Sequence, residues 1–368
     1  MQALPLIRLS GGPTERGIQH GRKASGQIAL ALDLYREEFA RRGVDWQEAQ
    51  ELATEFLVHM RNYDAELVVE LEGIAEGARQ SLAAITIINA RTELMYWKAK
   101  RQRAPAPEGV ADECTSAVAM PEATANQRML HAMNWDWQVD AADSAVVLSI
   151  AATETTPAIL TSVEAGQLAR HGFNSAGLAI TINGLQSSQD CGRFGIPSPM
   201  IRRRMLMSTR LSAAMLELGS APRAFSHFMA ISDAHGEAIG LETTPDDLFV
   251  LTPERGLMVH ANHFKNTVAQ IKLTDLNVAR IPETIYRELR VARHLQQAIG
   301  KITVDTMKTA FADSYGNPDA VCRRPARRPS GMVTGTVYTL IMDAAAKSMW
   351  LAPRPYLGAQ YTEYRIDE

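Results

Sequence analysis

The chain has 368 residues, 46% of them apolar and 21% charged, with a formal net charge of −3. This is a globular composition able to bury one large core or two ordinary ones, and it excludes disordered, collagen-like and polybasic nucleic-acid-binding proteins. No run approaches the roughly 18 consecutive apolar residues of a membrane helix, and the stretch from Met1 to Ser10 is too short and interrupted for a secretory signal, so a cytoplasmic protein is expected.

In the first hundred residues the apolar positions recur with helical period: Ile28, Leu32, Tyr35 and Phe39 share one face, and Leu67, Leu71, Ile74 and Ala78 another. At 101–109 two prolines and a glycine forbid a continued helix, which predicts an exposed linker. Short strand-like runs follow at 116–120, 129–133, 145–151, 158–163 and 177–183. Helical patterns return at 198–218 and 281–299, with further strands predicted at 247–251, 257–261 and 335–343. Helices and strands coming in runs predict a layered α+β architecture rather than βαβ repeats. The glycine patterns of dinucleotide and P-loop sites are absent.

The three cysteines, Cys114, Cys191 and Cys322, are odd in number and widely spaced, which argues against a disulfide framework or a clustered zinc site. Cys114 stands just beyond the linker and at the head of the first strand of the sheet-rich part, where a processing site would sit. A cut before it would expose a thiol and an α-amine on one residue, and an amine of pKa about 7.7 to 8.0 suits a general base. The alternative is a small buried hydrophobe. Asn134-Trp135-Asp136-Trp137 lies about twenty residues on, beyond one turn, where a carboxylate could hold an ammonium group; the alternative there is a loop-capping aspartate between core tryptophans. Asn183 and Asn262 sit at predicted strand ends, from which a side-chain amide can donate to an oxyanion or simply tie down a turn. His260 and His263 are expected on opposite faces of a strand without a third ligand nearby, so no metal site is expected. The arginine runs Arg202 to Arg204 and Arg323-Arg324 with Arg327-Arg328 could grip an anion but are expected on solvated surfaces. Met200, Met205, Met207 and Met215 are expected to fill a core.

With Cys114-Thr115-Ser116 followed by Asn134-Trp135-Asp136, the sequence resembles the acyl-coenzyme A:6-aminopenicillanic acid acyltransferase family of self-processing, N-terminal nucleophile enzymes. The resemblance spans nearly the whole chain. It takes in Arg16-Gly17-Ile18-Gln19-His20-Gly21, the stretch from Leu71 to Ala78, Asn89-Ala90-Arg91-Thr92-Glu93, Glu164-Ala165-Gly166, Gly172 to Leu178, His260-Ala261-Asn262-His263, and Asp313 with Pro318 and Val321-Cys322-Arg323.

The resemblance implies a four-layer αββα sandwich, made as one precursor and cut between Glu113 and Cys114. The pieces would be a helical α chain, 1–113, and a sheet-rich β chain, 114–368, of roughly 12 and 28 kDa by share of length, associated in one joint domain. By the same carry-over Cys114 is the nucleophile and its freed amine the base. Asp136 orients that amine, Asn262 supplies an oxyanion donor, and Ser116 lines the pocket and assists self-cleavage. Asn183 and Asn134 match the pattern of the broader superfamily, which includes the bile-salt and penicillin V acylases. The expected reaction is hydrolysis of a small-molecule carboxamide through an acyl-enzyme, with no metal or organic cofactor. The alternatives are acyl transfer from a thioester such as acyl-coenzyme A to an amine, and an uncleaved, non-catalytic binding relative. The expected partners are the amide or thioester substrate and the two cleaved chains for each other, with neither nucleic acid nor membrane; a homo-oligomer is left open. Two departures stand out. Glu113 occupies the position where the best-known family member has glycine, so slow self-cleavage is expected. Met332-Val333 replaces an arginine expected near the last core strand.

Overall fold

The computed structural model describes residues 3–101, 113–190 and 193–366. The expected linker beyond Arg101 and Cys191 therefore lie outside the described residues. The N-terminal part is helical as its periodicity predicts: after strand β1 (Leu6–Leu9) come α1 (Pro13–Lys23), α2 (Ser25–Arg41), α3 (Trp46–Tyr63), α4 (Ala65–Ala78) and α5 (Leu82–Arg101). Ile28, Leu32, Tyr35 and Phe39 of α2 are fully buried.

The glycines of the first two family stretches are explained by the crossing of α1 and α4. A Cβ on Gly17 would stand 2.2 Å from the Glu70 carbonyl oxygen, one on Gly21 2.2 Å from that of Ile74, and one on Gly73 2.5 Å from that of Thr14. Only hydrogen fits where two backbones come this close. The next two stretches dock on each other. Asn89 Nδ2 donates to the Gly166 carbonyl at 2.8 Å, its Oδ1 accepts from Leu168 N at 3.0 Å, and Arg91 Nε meets Glu164 Oε2 at 3.0 Å. His20 Nε2 accepts from Gly166 N at 3.0 Å, as a neutral ring must; burial, helped by Arg203, holds its pKa down at about 3.

The remainder alternates strands and helices. In order they are β2 (Glu113–Ala119), β3 (Leu130–Gln138), α6 (Ala141–Ser144), β4 (Ala145–Ile150), β5 (Ile159–Glu164), β6 (His171–Asn174), β7 (Ala179–Gly184), α7 (Ser198–Met207), α8 (Leu211–Ser220), β8 (His227–Ser232), β9 (Ala238–Thr243), β10 (Leu248–Leu251) and β11 (Leu257–His260). Then follow α9 (Thr267–Lys272), α10 (Asn277–Arg280), α11 (Glu283–Gln296), α12 (Val304–Phe311), β12 (Ala326–Arg327), β13 (Val333–Asp343), β14 (Ser348–Pro353) and β15 (Thr362–Arg365). The single helix predicted over 198–218 is two, because Asn174 Nδ2 takes the carbonyls of Leu206 and Ser208 and the chain turns extended at Ser208.

Among the described residues there are two sheets, an eight-stranded one in the order β1-β4-β5-β6-β7-β8-β9-β10 and a seven-stranded one in the order β11-β2-β3-β13-β14-β15 with β12 beside β13. They pack face to face where β2 and β3 lie on β7. Helices α7 and α8 and the N-terminal bundle cover the outside of the first sheet, and α11 and α12 the outside of the second. The result is the expected αββα sandwich. On β2 the alternation of a pleated strand decides which way each residue faces. Ala117 and Ala119 pack with Val291, Leu295, Met307 and Phe311 under the outer helices, while Cys114 and Val118 enter the interior between the sheets.

Candidate active site

Strand β2 pairs along its whole length with β3, which sets Cys114 opposite Trp135 and Glu113 opposite Asp136. The Asn-Trp-Asp-Trp run is thus part of the return strand itself and not a loop after it, so Asp136 does not cap a turn. On its other edge β2 pairs with β11, but that strand stops at His260, opposite Ser116. Past this point the Asn262 side chain takes over. Its Oδ1 accepts from the Cys114 backbone N–H at 3.0 Å.

Asn262 is pinned on every side. Its backbone N–H donates to Thr284 Oγ1 at 2.7 Å, its carbonyl accepts from Asn277 Nδ2 at 2.9 Å, and its own Nδ2 donates to the Gly184 carbonyl at 2.9 Å. The hub of the site is Arg287, which α11 carries into the sheet. Its Nη1 donates to the Cys114 carbonyl at 2.9 Å and to Thr115 Oγ1 at 2.8 Å, and its Nη2 to Asn262 Oδ1 at 2.8 Å. Both main-chain groups of Cys114 are therefore held by side chains.

Glu113 and Asp136 lie on the helix side of this sheet with two buried guanidiniums. The Glu113 carboxylate is in close contact with Arg323 and 3.6 Å from Arg287 Nη2. Asp136 Oδ1 accepts from Thr336 Oγ1 at 2.6 Å; its Oδ2 makes no hydrogen bond among the described residues and stands 3.6 Å from Arg323 Nε and 3.8 Å from Arg287 Nη1. Burial pushes the Asp136 carboxyl up to about 6, against the pull of Arg323, Arg287 and Thr336. A cavity of about 530 Å³ opens onto this cluster, lined by Glu113, Asp136, Arg280, Arg323, Arg328 and Thr334 among others.

Ser116, two residues along β2 from Cys114 and facing the same way, is buried, and its hydroxyl makes no hydrogen bond among the described residues. Asn183 bridges the sheets, its Nδ2 donating to the His260 and Ala261 carbonyls, both at 2.9 Å, so it places the segment that carries Asn262. Asn134 is brought to the helix side instead. Its Nδ2 donates to the Phe311 and Val321 carbonyls and its Oδ1 accepts from Thr339.

The His260 and His263 rings, expected on opposite faces, lie 6.2 Å apart and nearly parallel, because the strand ends at His260 and the chain turns. His260 stacks on Phe228, with Nε2 2.9 Å from Glu242 Oε1. The solvated-surface expectation for the arginines is corrected for Arg202, Arg203 and Arg323, all buried: Arg203 reaches Glu70 at 3.1 Å, and Arg323 reaches Glu283 at 2.9 Å as well as Glu113. Arg324 and Arg327 are exposed as expected, and Arg328 is only partly buried. Cys322 is no rival nucleophile, since burial pushes its thiol up to about 12. The sequence reading missed Arg287 and Thr336. A lone arginine in an amphipathic helix carries no signal of its own, although its buried neighbours Thr284, Glu288 and Val291 mark the inward face.

The profile of the acyl-coenzyme A:6-aminopenicillanic acid acyl-transferase family matches residues 123–354. The 40 kDa form of the acyl-coenzyme A:6-aminopenicillanic-acid-acyltransferase of Emericella nidulans is 31% identical over 344 residues, 92% of this chain and 89% of that protein. The chain belongs to this family. It is accordingly an enzyme, carried on an αββα sandwich. Among solved structures, penicillin V acylase from Agrobacterium tumefaciens matches with a TM-score of 0.47 at 14% identity, over 69% of this chain and 86% of that one. The N-acylethanolamine-hydrolyzing acid amidase ortholog of Caenorhabditis elegans matches with a TM-score of 0.46 at 12% identity, over 63% and 93%.

Proposed function

We propose that the chain cuts itself between Glu113 and Cys114 and then works as a cysteine amidohydrolase on a small-molecule carboxamide. The observation that carries this reading is the grip on Cys114: Asn262 Oδ1 on its N–H at 3.0 Å and Arg287 Nη1 on its carbonyl at 2.9 Å, in a buried site. A cut that frees this nitrogen leaves an α-amine already facing a hydrogen-bond acceptor.

In self-cleavage the Cys114 thiol sulfur attacks the Glu113 carbonyl carbon, the proton passes to the Cys114 nitrogen, and the C–N bond breaks. This leaves a thioester between the two residues and a free amine; water then releases Glu113 as a carboxylate. In turnover the amine takes the thiol proton, the sulfur attacks the substrate carbonyl, and the proton goes to the departing amine. Water activated by the same amine hydrolyses the acyl-enzyme. Nucleophile and base both reside on Cys114, so the cycle calls for no metal or organic cofactor.

Asp136 and Asn262 hold the amine in line. The Nδ2 of Asn262 is the candidate oxyanion donor, one hydrogen bond from Gly184. Ser116, its hydroxyl on the nucleophile's side, assists the cut. Residues 1–113 and 114–368 stay together after it through a shared core in which α2, α4 and α5 pack with β4 and β5. A second reading, acyl transfer from a thioester to an amine, is favoured by the acyltransferase activity for which the Emericella relative is named. A cytoplasmic setting is part of the proposal; no described helix is long and apolar enough to cross a membrane.

The test is an intact mass under denaturing conditions. Two species of roughly 12 and 28 kDa, the larger beginning at Cys114, are expected from the wild type and one of 40.4 kDa from Cys114→Ala. A cut Cys114→Ala chain would mean an external protease and overturn self-processing.

A further inference from the structure

We propose that the slot now filled by the Glu113 side chain is the subsite for the substrate's acyl group, and that it selects acyl groups ending in a carboxylate at the fifth carbon, the glutaryl class. The inference rests on the reading that Cys114 forms both the self-cleavage thioester and the acyl-enzyme. Those two species share one covalent arrangement, an acyl carbon on the Cys114 sulfur. In the first the acyl group is Glu113 itself, whose carbonyl carbon is followed by Cα, Cβ, Cγ and the carboxylate carbon. A glutaryl group on the same sulfur follows the same path.

The slot is built for an anion. The Glu113 carboxylate lies against Arg323, with Arg287 Nη2 at 3.6 Å, and both guanidiniums are fully buried. Arg323 Nε and Nη1 and Arg287 Nε make no hydrogen bond among the described residues. Arg323 already holds Glu283 through Nη2 at 2.9 Å, so donors remain on its fork for a further carboxylate. Once the peptide bond is cut, Glu113 is no longer tethered to Cys114 and its anion becomes exchangeable. A buried guanidinium that loses its counter-ion is penalised, so a carboxylate is the favoured replacement. The cavity of about 530 Å³ gives access to Glu113, Arg323 and Glu283.

The experiment uses the wild-type cut enzyme, because an Arg323 variant can fail to fold. N-acyl 4-nitroanilides carrying succinyl, glutaryl, adipyl and the neutral glutaramoyl group are compared by kcat/KM, and the same acyl groups as 4-nitrophenyl esters are followed by mass on Cys114. Charge-assisted hydrogen bonds predict that glutaryl exceeds glutaramoyl by about 10- to 100-fold, with succinyl and adipyl below it. Free glutarate should protect Cys114 from alkylation and hexanoate should not. Equal or better use of glutaramoyl, or an optimum at another length, overturns the inference while leaving the amidohydrolase reading in place. If no acyl group from any donor is found on Cys114, the reading itself falls and the inference with it.

Discussion

Replacing Asp136 by asparagine tests the electrostatics of the site apart from its chemistry. The amide keeps the shape and the acceptor that Thr336 Oγ1 uses at 2.6 Å, and it removes only the charge. The Asp136 carboxyl titrates at about 6 in the fold against 3.8 ordinarily, because burial outweighs Arg323, Arg287 and Thr336. A group whose folded pKa is raised binds its proton more tightly in the folded chain, so stability falls as pH rises from the unfolded value through the folded one. Below about pH 4 both states are protonated and there is no penalty. Above about pH 7 the full penalty applies, about two pKa units or ~3 kcal/mol. Asp136→Asn should therefore match the aspartate form near pH 4 and exceed its unfolding free energy by ~3 kcal/mol at pH 8. The assay is urea unfolding at both pH values in a Cys114→Ala background, where both chains stay whole and other titrations cancel in the difference. An asparagine chain that is less stable at pH 8, or a difference independent of pH, would show that the arginines and not burial govern this carboxylate. With Cys114 restored, the same substitution should remove most of kcat if, as proposed, the Asp136 charge holds the freed amine.

Arg287→Lys keeps a positive charge but loses the fork that serves Cys114, Thr115 and Asn262 together. A kcat lower by about 10- to 100-fold is expected from the loss of one charge-assisted hydrogen bond, and an unchanged kcat would take Arg287 out of the positioning role. Gly73→Ala should destabilise by about 1 to 3 kcal/mol, seen as a lower Tm, because its Cβ would meet the Thr14 carbonyl at 2.5 Å; an unaltered Tm would mean that α1 and α4 can part at no cost. At pH 7.5 iodoacetamide should label Cys114 of the cut enzyme and spare Cys322, whose buried thiol stands at about 12. Equal labelling of the two would refute the assignment of reactivity.

The architecture was legible where period and burial coincide. The helical faces of α2 and α4 read directly, as did β2, β4, β5, β7, β10, β11 and β13, because each is a run of apolar residues ended by a polar or turn residue. Strands β8, β9, β14 and β15 escaped, since His227-Phe228-Met229-Ala230-Ile231-Ser232 and its like fit strand and helix equally until a neighbour is known. At the candidate site, the resemblance singles out Cys114, Asp136 and Asn262, and the structure brings them together because β2 pairs with β3 and Asn262 follows the end of β11. The sequence did not name Arg287, whose importance comes from a helix 173 residues from Cys114 laying one side chain on the sheet.

The misjudged arginines share one cause. Charge runs are expected at the surface because a lone buried ion is costly, and Arg202-Arg203 and Arg323 were read by that rule. Arg203 and Arg323 are buried because other parts of the chain supply what the run itself lacks: Glu70 from α4 for Arg203, and Glu113 and Glu283 for Arg323. The same dependence explains why several family stretches contain no catalytic candidate. Glu164 answers Arg91, Asn89 answers Gly166, and Asp313 answers Arg290 at the root of the loop that delivers Arg323. These pairs fix the helices against the sheets, and the grip on Cys114 follows from them. A substitution at Asp313, which touches neither Cys114 nor Asn262, should thus act on the site through the placement of α11 and Arg323. Its signature would be a loss of self-cleavage and of turnover together, because both use the one set of hydrogen bonds around Cys114.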